Sequence, residues 1–484
     1  MKKLRVALLL LTAFSTSLMA QNEADALRYS RLNYSGTARF VAMGGAFGAL
    51  GADFTSISHN PAGIGLYKSS EISITPSLAM DKTEAVFNGN FRDDTKYTFN
   101  VASVGIIMAG NPSPQNPKSM WKNVQFGFGM NRMANFNNRI LIDGDNSESS
   151  FLTPYRDQSF GVAPGDLNSF EAGLAYDADL LFLRNSIDSA TWNYQIDLPN
   201  GGVNQRKSIE SEGSLNEMVF TFGANYGDQL YIGATIGVPF INYTQTSTYT
   251  ETDEEGNSEY FKSFTRNDYL ETSGTGVNFK FGLIYRATDW FRLGGAIHTP
   301  TFYSNMADSW NASIRSNFDN GSSISVRSPE GFYEYELTTP MRVIGSVGFI
   351  IGKAGLISAD YEFVDYSSAK MRAYDYDFYD ENEAIRTSYL SANNFRLGTE
   401  WRYGALSFRG GYSLSANPYK YGTDAVNSSY SLGLGIREKS FFVDLAWVHS
   451  QMDNEYYLYS VEYVDPVSTK QIGNLFSMTI GVKY

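Results

Sequence analysis

Read back from its C-terminus, the chain alternates. Ile472, Phe476, Met478, Ile480, Val482 and Tyr484 fall on one face of an extended segment, and Gly473, Ser477, Thr479, Gly481 and Lys483 on the other. One face suits lipid and the other water. The same split recurs upstream: Phe441, Val443, Leu445 and Trp447 oppose Asp444 and Ala446, while Tyr430, Leu432, Leu434 and Ile436 oppose Ser431, Gly433, Gly435 and Arg437. Phe395, Leu397, Thr399 and Trp401 oppose Arg396, Gly398, Glu400 and Arg402. Repeated over the chain, this period of two predicts strands near 70–80, 96–109, 122–142, 206–226, 229–250, 269–285, 290–301, 332–351, 356–372, 392–403, 405–416, 428–437, 440–452 and 471–484. That is about 14, an even number, as a bacterial outer-membrane barrel requires.

The connections carry a second signal. Short turns such as Gly227-Asp228, Gly352 to Gly355 and Tyr403-Gly404 alternate with long polar stretches at 81–95, 143–205, 251–268, 302–331, 373–391, 417–427 and 453–470. Outer-membrane barrels place turns in the periplasm and loops outside, with 110–121 here the one long periplasmic connection. A soluble sandwich or propeller also alternates, but it does not carry Phe, Trp, Leu and Val outward on strand after strand. Only helices and edge-free barrels satisfy their backbone in lipid. The expected fold is therefore an all-β, antiparallel transmembrane barrel in the bacterial outer membrane.

Composition narrows this further. No stretch approaches the roughly 18 apolar residues of a spanning helix. Met1-Lys2-Lys3-Leu4-Arg5 followed by an apolar run to Ala20 reads as a signal peptide over 1–20. Its removal takes 38 basic residues to 35 against 51 acidic ones, a net charge of −16, which excludes nucleic acid as a partner. Cysteine is absent, so there are no disulfides, thiolate metal sites or lipid anchor. The C-terminal amphipathic strand ending on Tyr484 is the expected handle for barrel-assembly machinery, and outer-membrane lipid and lipopolysaccharide are the expected surroundings.

Residues 21–68 lack strand character. They are rich in Gly and Ala, with apolar anchors at Phe40, Met43, Phe47, Leu50, Phe54 and Ile57. A barrel of this size has an interior wider than its own side chains fill, so such a segment can plug the barrel formed by 69–484. Here Ser35-Gly36, Ala38-Arg39, Gly44-Gly45-Ala46, Asp53 and above all Asn60-Pro61-Ala62-Gly63 resemble the FadL-type outer-membrane transporters, the long-chain fatty-acid and toluene channels. Weaker echoes run from Asp289-Trp290 to His298-Thr299-Pro300, through Thr339-Pro340-Met341-Arg342, and from Tyr412 to Pro418.

The resemblance implies a hatch ending at Asn60, Pro61, Ala62 and Gly63, set against an inward kink of the third strand that opens a lateral exit. Gly127 and Gly129 are the gate candidates, because glycine inside a strand marks a bulge or close backbone approach. It also implies a carboxylate headgroup held by basic residues. The expected lumen face carries Lys280, Arg292, His298, Arg342, Asp360, Glu362, Arg396, Glu400 and Arg409. Arginine suits bidentate capture, so Arg292, Arg342, Arg396 and Arg409 are the ligand candidates; equally, they could pair with lumen acids and hold the hatch. A helix over 166–183, capped by Asp166, places Phe170, Leu174, Leu181 and Phe182 on one side as an outer greasy groove, or simply packs on the rim.

No cofactor or metal is expected: the three histidines are scattered, and the acidic runs at Asp253-Glu254-Glu255 and Tyr374 to Glu383 read as solvated loop tips. Hydrolysis would need a pair such as His298 with Asp360, so an enzyme is not the expectation. The resemblance points to uptake of hydrophobic small molecules, long-chain fatty acids first, by loop capture, lumen binding and hatch-gated lateral release. Aromatic hydrocarbons and haem are alternative cargoes. The rival is a structural or adhesive surface barrel with a sealed lumen. A continuous pocket between hatch and wall would favour transport, and salt-bridged filling would favour the rival.

Overall fold

The computed structural model of the chain describes residues 22–110, 119–184, 192–199, 201–258, 260–420 and 426–484. The signal peptide and most of the 110–121 connection lie outside the described residues. Fourteen antiparallel wall strands close on themselves. They are β1 (Glu71–Phe87), β2 (Asn90–Gly110), β3 (Trp121–Asn135, continued by Asn138–Asn146), β4 (Val203–Tyr226), β5 (Leu230–Thr252), β6 (Phe261–Arg286) and β7 (Phe291–His298, continued by Phe302–Phe318). Then come β8 (Gly331–Thr338, continued by Arg342–Ile351), β9 (Gly355–Asp365), β10 (Ser391–Tyr403), β11 (Leu406–Ser415), β12 (Asn427–Arg437), β13 (Phe441–Tyr456) and β14 (Val467–Lys483). β14 pairs with β1, from Glu71 opposite Lys483 to Val86 opposite Ser468, and leaves no free edge there.

The wall faces two solvents. Phe395, Leu397, Leu432, Leu434, Leu445, Ile480 and Val482 all stand outward and exposed, whereas Glu400, Asp444, Ser431 and Thr479 point inward and are buried. An apolar girdle of that extent has no place in water and fits a bilayer.

Two loop expectations fail. Residues 81–95 are not a loop: β1 and β2 run on to a tight turn at Asn88-Gly89, both left-handed, the standard two-residue hairpin geometry. Residues 302–331 are mostly strand, the upper part of β7 folding back through Ser323–Arg327. Above the lipid the outward positions turn polar, as at Ser273, Thr275, Asn305 and Glu334, so alternation of hydropathy fades where the strand does not. β6 reaches 26 residues where about 9–11 would cross a membrane.

The expected helix over 166–183 is also corrected. A 3-10 turn at Pro164–Asp166 and a six-residue helix at Ala172–Asp177 replace it, and the helix cap is Glu171, not Asp166. Asn168 O accepts from both Glu171 N and Gly173 N, and Asp179 sits at φ 54°, so the chain turns at both ends.

The N-terminal segment threads the lumen from top to bottom. Helix α1 (Glu23–Ser30) opens on a capping box at Asn22 and Asp25 and packs near the loop end, with Leu27 and Tyr29 in a buried cluster with Tyr243, Tyr335 and Phe378. The chain then descends past Ala38, whose N–H donates to Thr479, and past Gly44 beside Tyr412, to reach β1 through Tyr67.

Candidate functional site in the lumen

The lower lumen is filled by backbone seated on backbone. On β2 to β7 and β10 to β12, inward glycines meet the N-terminal segment: Gly105, Gly127, Gly129, Gly223, Gly233, Gly282, Gly294, Gly398, Gly411 and Gly433. A Cβ on Gly233 would lie 2.3 Å from the Pro61 carbonyl oxygen, and one on Gly282 1.9 Å from Asn60 Oδ1. The wall is thinned so that the segment fits against it.

Asn60-Pro61-Ala62-Gly63 is built into this seat. Asn60 Oδ1 accepts from Ala62 N at 3.1 Å and caps the 3-10 helix Pro61–Leu66, with Pro61 at its first turn. Asn60 Nδ2 donates to the Gly48 and Leu283 carbonyls at 2.5 and 3.2 Å. The motif therefore lies on β5 and β6. Gly127 and Gly129, the gate candidates, sit inside the paired β2–β3 ladder and receive Ile57, Ile64 and Phe54. They are close-approach positions in the seat and not an opening.

Buried ion pairs fix the same region. Glu400 accepts from Arg39, Arg402 and Arg409 at 2.8, 2.6 and 2.8 Å, and Asp444 from Arg409 and Arg437 at 2.7 and 2.8 Å. His59 Nε2 lies 2.8 Å from Asp360 Oδ2, and His298 Nε2 2.9 Å from the His59 carbonyl. The His298–Asp360 pair weighed for hydrolysis is thus not formed; His59 takes the aspartate.

The upper lumen is different. A cavity of about 1700 Å³ lies between the N-terminal segment and the β1–β5 and β10–β14 walls. Leu27, Leu32, Phe40, Val41, Val448 and Leu475 give it apolar surface, interspersed with Asn100, Asn394, Ser413 and Asn474. It reaches the loop rim at Tyr457 and Val461. At its other side it touches Asn100 and Asn135 to Asn138.

Those last residues mark a break in the wall. The β2–β3 ladder runs from Gly110 opposite Val124 to Ser103 opposite Asn131 and stops. Above that point β2 pairs only with β1, and β3, bulged between Arg132 and Ala134, pairs only with β4. The seam is held by side chains: Asn135 to Asp81 at 3.2 Å, Thr83 to Asn138 at 2.8 Å, and Lys96 to Glu210 and Glu212 at 2.8 and 2.7 Å. The carbonyls of Met133 and Arg132, left over at the kink, accept from Asn33 N at 2.7 Å and Ser35 N at 3.2 Å. The N-terminal segment thus supplies backbone partners that β2 does not.

Of the four candidate arginines, Arg396 alone lines this cavity. Its Nη2 lies 3.3 Å from Glu362, while its buried Nη1 has no hydrogen-bond partner among the described residues. The Tyr34 hydroxyl, also on the cavity and buried, has none either. Arg342 is committed to Glu362 and the Ser30 carbonyl, and Arg409 to Glu400 and Asp444. Arg292 stands opposite Arg286 near the short turns, away from the cavity. Leu174 and Leu181 are buried in a core beneath the outer loops with Phe151 and Tyr249, and Phe170 makes a tilted ring contact with Trp310, so these residues do not line this cavity.

Comparison by sequence finds no matching family model and no similar curated protein. The Pseudomonas putida toluene transporter TodX aligns over 93% of this chain and 99% of its own, with a TM-score of 0.54 at 10% identity. The fold is the FadL-type barrel. A Pseudomonas aeruginosa FadL homologue gives 0.55 at 10% identity over 93% of this chain and 98% of its own. The Ralstonia pickettii toluene transporter TbuX gives 0.51 at 14% over 93% and 99%. The chain therefore shares its architecture with those channels over nearly its whole length, at identities that speak for fold alone.

Sequence reasoning missed Asn33, Tyr34 and Ser35 as seam and cavity residues. The signal was the stretch Leu32 to Ser35, polar and aromatic by turns just ahead of Gly36. It also missed Lys96, Glu210 and Glu212, whose reach depends on the kink.

Proposed function

We propose that this barrel passes hydrophobic small molecules across the outer membrane, long-chain fatty acids foremost, with the N-terminal segment as its hatch. The outer loops admit the molecule, the upper cavity binds it, and it leaves sideways through the β2–β3 seam into the bilayer. A lipid-like molecule gains nothing from a water-filled path and gains burial from this one. The observation that carries the reading is that a single cavity touches both the loop rim and the unpaired seam, with Asn33 and Ser35 as the seal between them. In this reading the gating part of the hatch is residues 22–35, while 36–67 stays seated.

The bare Arg396 Nη1 and the Tyr34 hydroxyl offer two donors to an anionic head, with Arg31 on the same cavity, in no ion pair among the described residues. That arrangement favours a carboxylate cargo over a neutral hydrocarbon. The rival surface barrel draws on the ion-paired lower lumen, but the upper cavity gives it no role.

Uptake of a labelled long-chain fatty acid by cells expressing the chain tests the proposal, with Arg396→Gln and Tyr34→Phe alongside. Loss of one charge-assisted hydrogen bond should weaken fatty-acid binding about tenfold and leave toluene uptake unchanged. No fatty-acid uptake by the intact protein would overturn the cargo assignment. Equal loss of toluene and fatty acid in the variants would reduce both residues to packing.

A further inference from the structure

A second cavity opens at the opposite, short-turn end of the barrel. It measures about 410 Å³ and is lined by Arg39, Lys68, Arg402, Arg437 and Lys483, with Glu71 the one carboxylate among its lining residues. In a chain of net charge −13 this is a concentrated positive site. Its cations outnumber the carboxylates around them. Glu400 and Asp444 together serve four guanidinium groups, those of Arg39, Arg402, Arg409 and Arg437. Lys68 and Lys483 form no ion pair among the described residues, and Asp53 spends its Oδ1 on Thr37 and Thr55. One lining group is left short of a partner: the buried Nε of Arg437 has no hydrogen-bond partner among the described residues. A buried guanidinium such as that of Arg39, in a cluster where cations exceed carboxylates, gains from an anion that completes it.

We propose that this cavity is an anion-binding site, open to the periplasmic side, for a phosphate or carboxylate group. Arginine forks match both groups bidentately, and the two lysines add point charge. The site is separate from the cargo cavity: the seat formed by residues 36–67 lies between them, and no residue lines both. It goes beyond the transport reading and stands or falls independently of it. The anion is either free in the periplasm or the headgroup of an inner-leaflet phospholipid, which sits at this height.

The test is calorimetric titration of the purified full chain, in neutral detergent at fixed ionic strength, with inorganic phosphate and separately with a short-chain phosphatidic acid. Saturable binding of phosphate supports a free anion as ligand, and saturable binding of phosphatidic acid alone, lost with Lys68 and Lys483, supports the headgroup. The double variant Lys68→Gln/Lys483→Gln should weaken either about tenfold. Lys483→Arg, which keeps the charge, should leave it unchanged. Absence of saturable binding by both ligands, or equal affinity in the double variant with the barrel assembled, would overturn the proposal.

Discussion

The two halves of the lumen hold the same N-terminal segment by opposite means. Below, residues 36–67 rest on a ring of wall glycines and on carboxylates shared among arginines, with Phe40, Phe47, Phe54 and Ile57 at most 2% exposed. Above, residues 22–35 pack one side against the β3–β9 wall and leave the other on a cavity of about 1700 Å³. A seat that tolerates no added methyl group is poorly suited to sliding, since packed interiors yield by discrete rearrangement. A segment with one free face and two backbone bonds to a kinked strand is suited to it. The difference assigns anchoring to the motif-bearing part of the segment and gating to the part ahead of it.

Substitutions can break or sharpen that division. The largest effect is expected of Glu400→Leu, which strands Arg39, Arg402 and Arg409 without their shared carboxylate. It should cost about 3–5 kcal/mol, read from urea unfolding in detergent. A cost near zero would mean that the ion-pair network does not anchor the seat. Gly233→Ala drives a methyl group onto the Pro61 carbonyl and should cost about 1–3 kcal/mol. Protease cleavage within 36–67 should rise with it. Asn60→Ala loses a cap and two carbonyl contacts, about 1–2 kcal/mol by the same unfolding assay. Arg31→Gln, on the cavity side of the upper segment, should stay within about 0.5 kcal/mol while altering fatty-acid uptake. A stability loss as large as that of Asn60→Ala would erase the contrast between the halves.

Much of the architecture was legible because lipid imposes a pattern. Phe395, Leu397, Leu432, Leu434, Ile480 and Val482 could be placed outward from period two alone. Where the wall rises above the bilayer that constraint lapses, and the upper parts of β1, β2 and β7 read as loops although Asn88-Gly89 marked a hairpin. The seat was half legible. Asn60 to Gly63 stood out, yet which wall glycines it meets is a matter of register between distant strands, and the motif rests on β5 and β6 and not on β3. Arg342 and Arg409 look alike in sequence to Arg396; only the geometry shows that their partners leave them nothing to offer a ligand. The seam was least legible, since a missing ladder is a property of two strands and leaves no mark on either.

The most direct test of lateral release is a reversible lock across the seam. Thr83 and Asn138 already touch there, side chain to side chain at 2.8 Å, and the chain has no cysteine of its own. A Thr83→Cys/Asn138→Cys barrel, oxidised and shown to be cross-linked, should lose fatty-acid uptake and regain it on reduction, with the lower seat untouched. Unchanged uptake in the fully cross-linked protein would contradict exit through the β2–β3 seam and direct the path elsewhere.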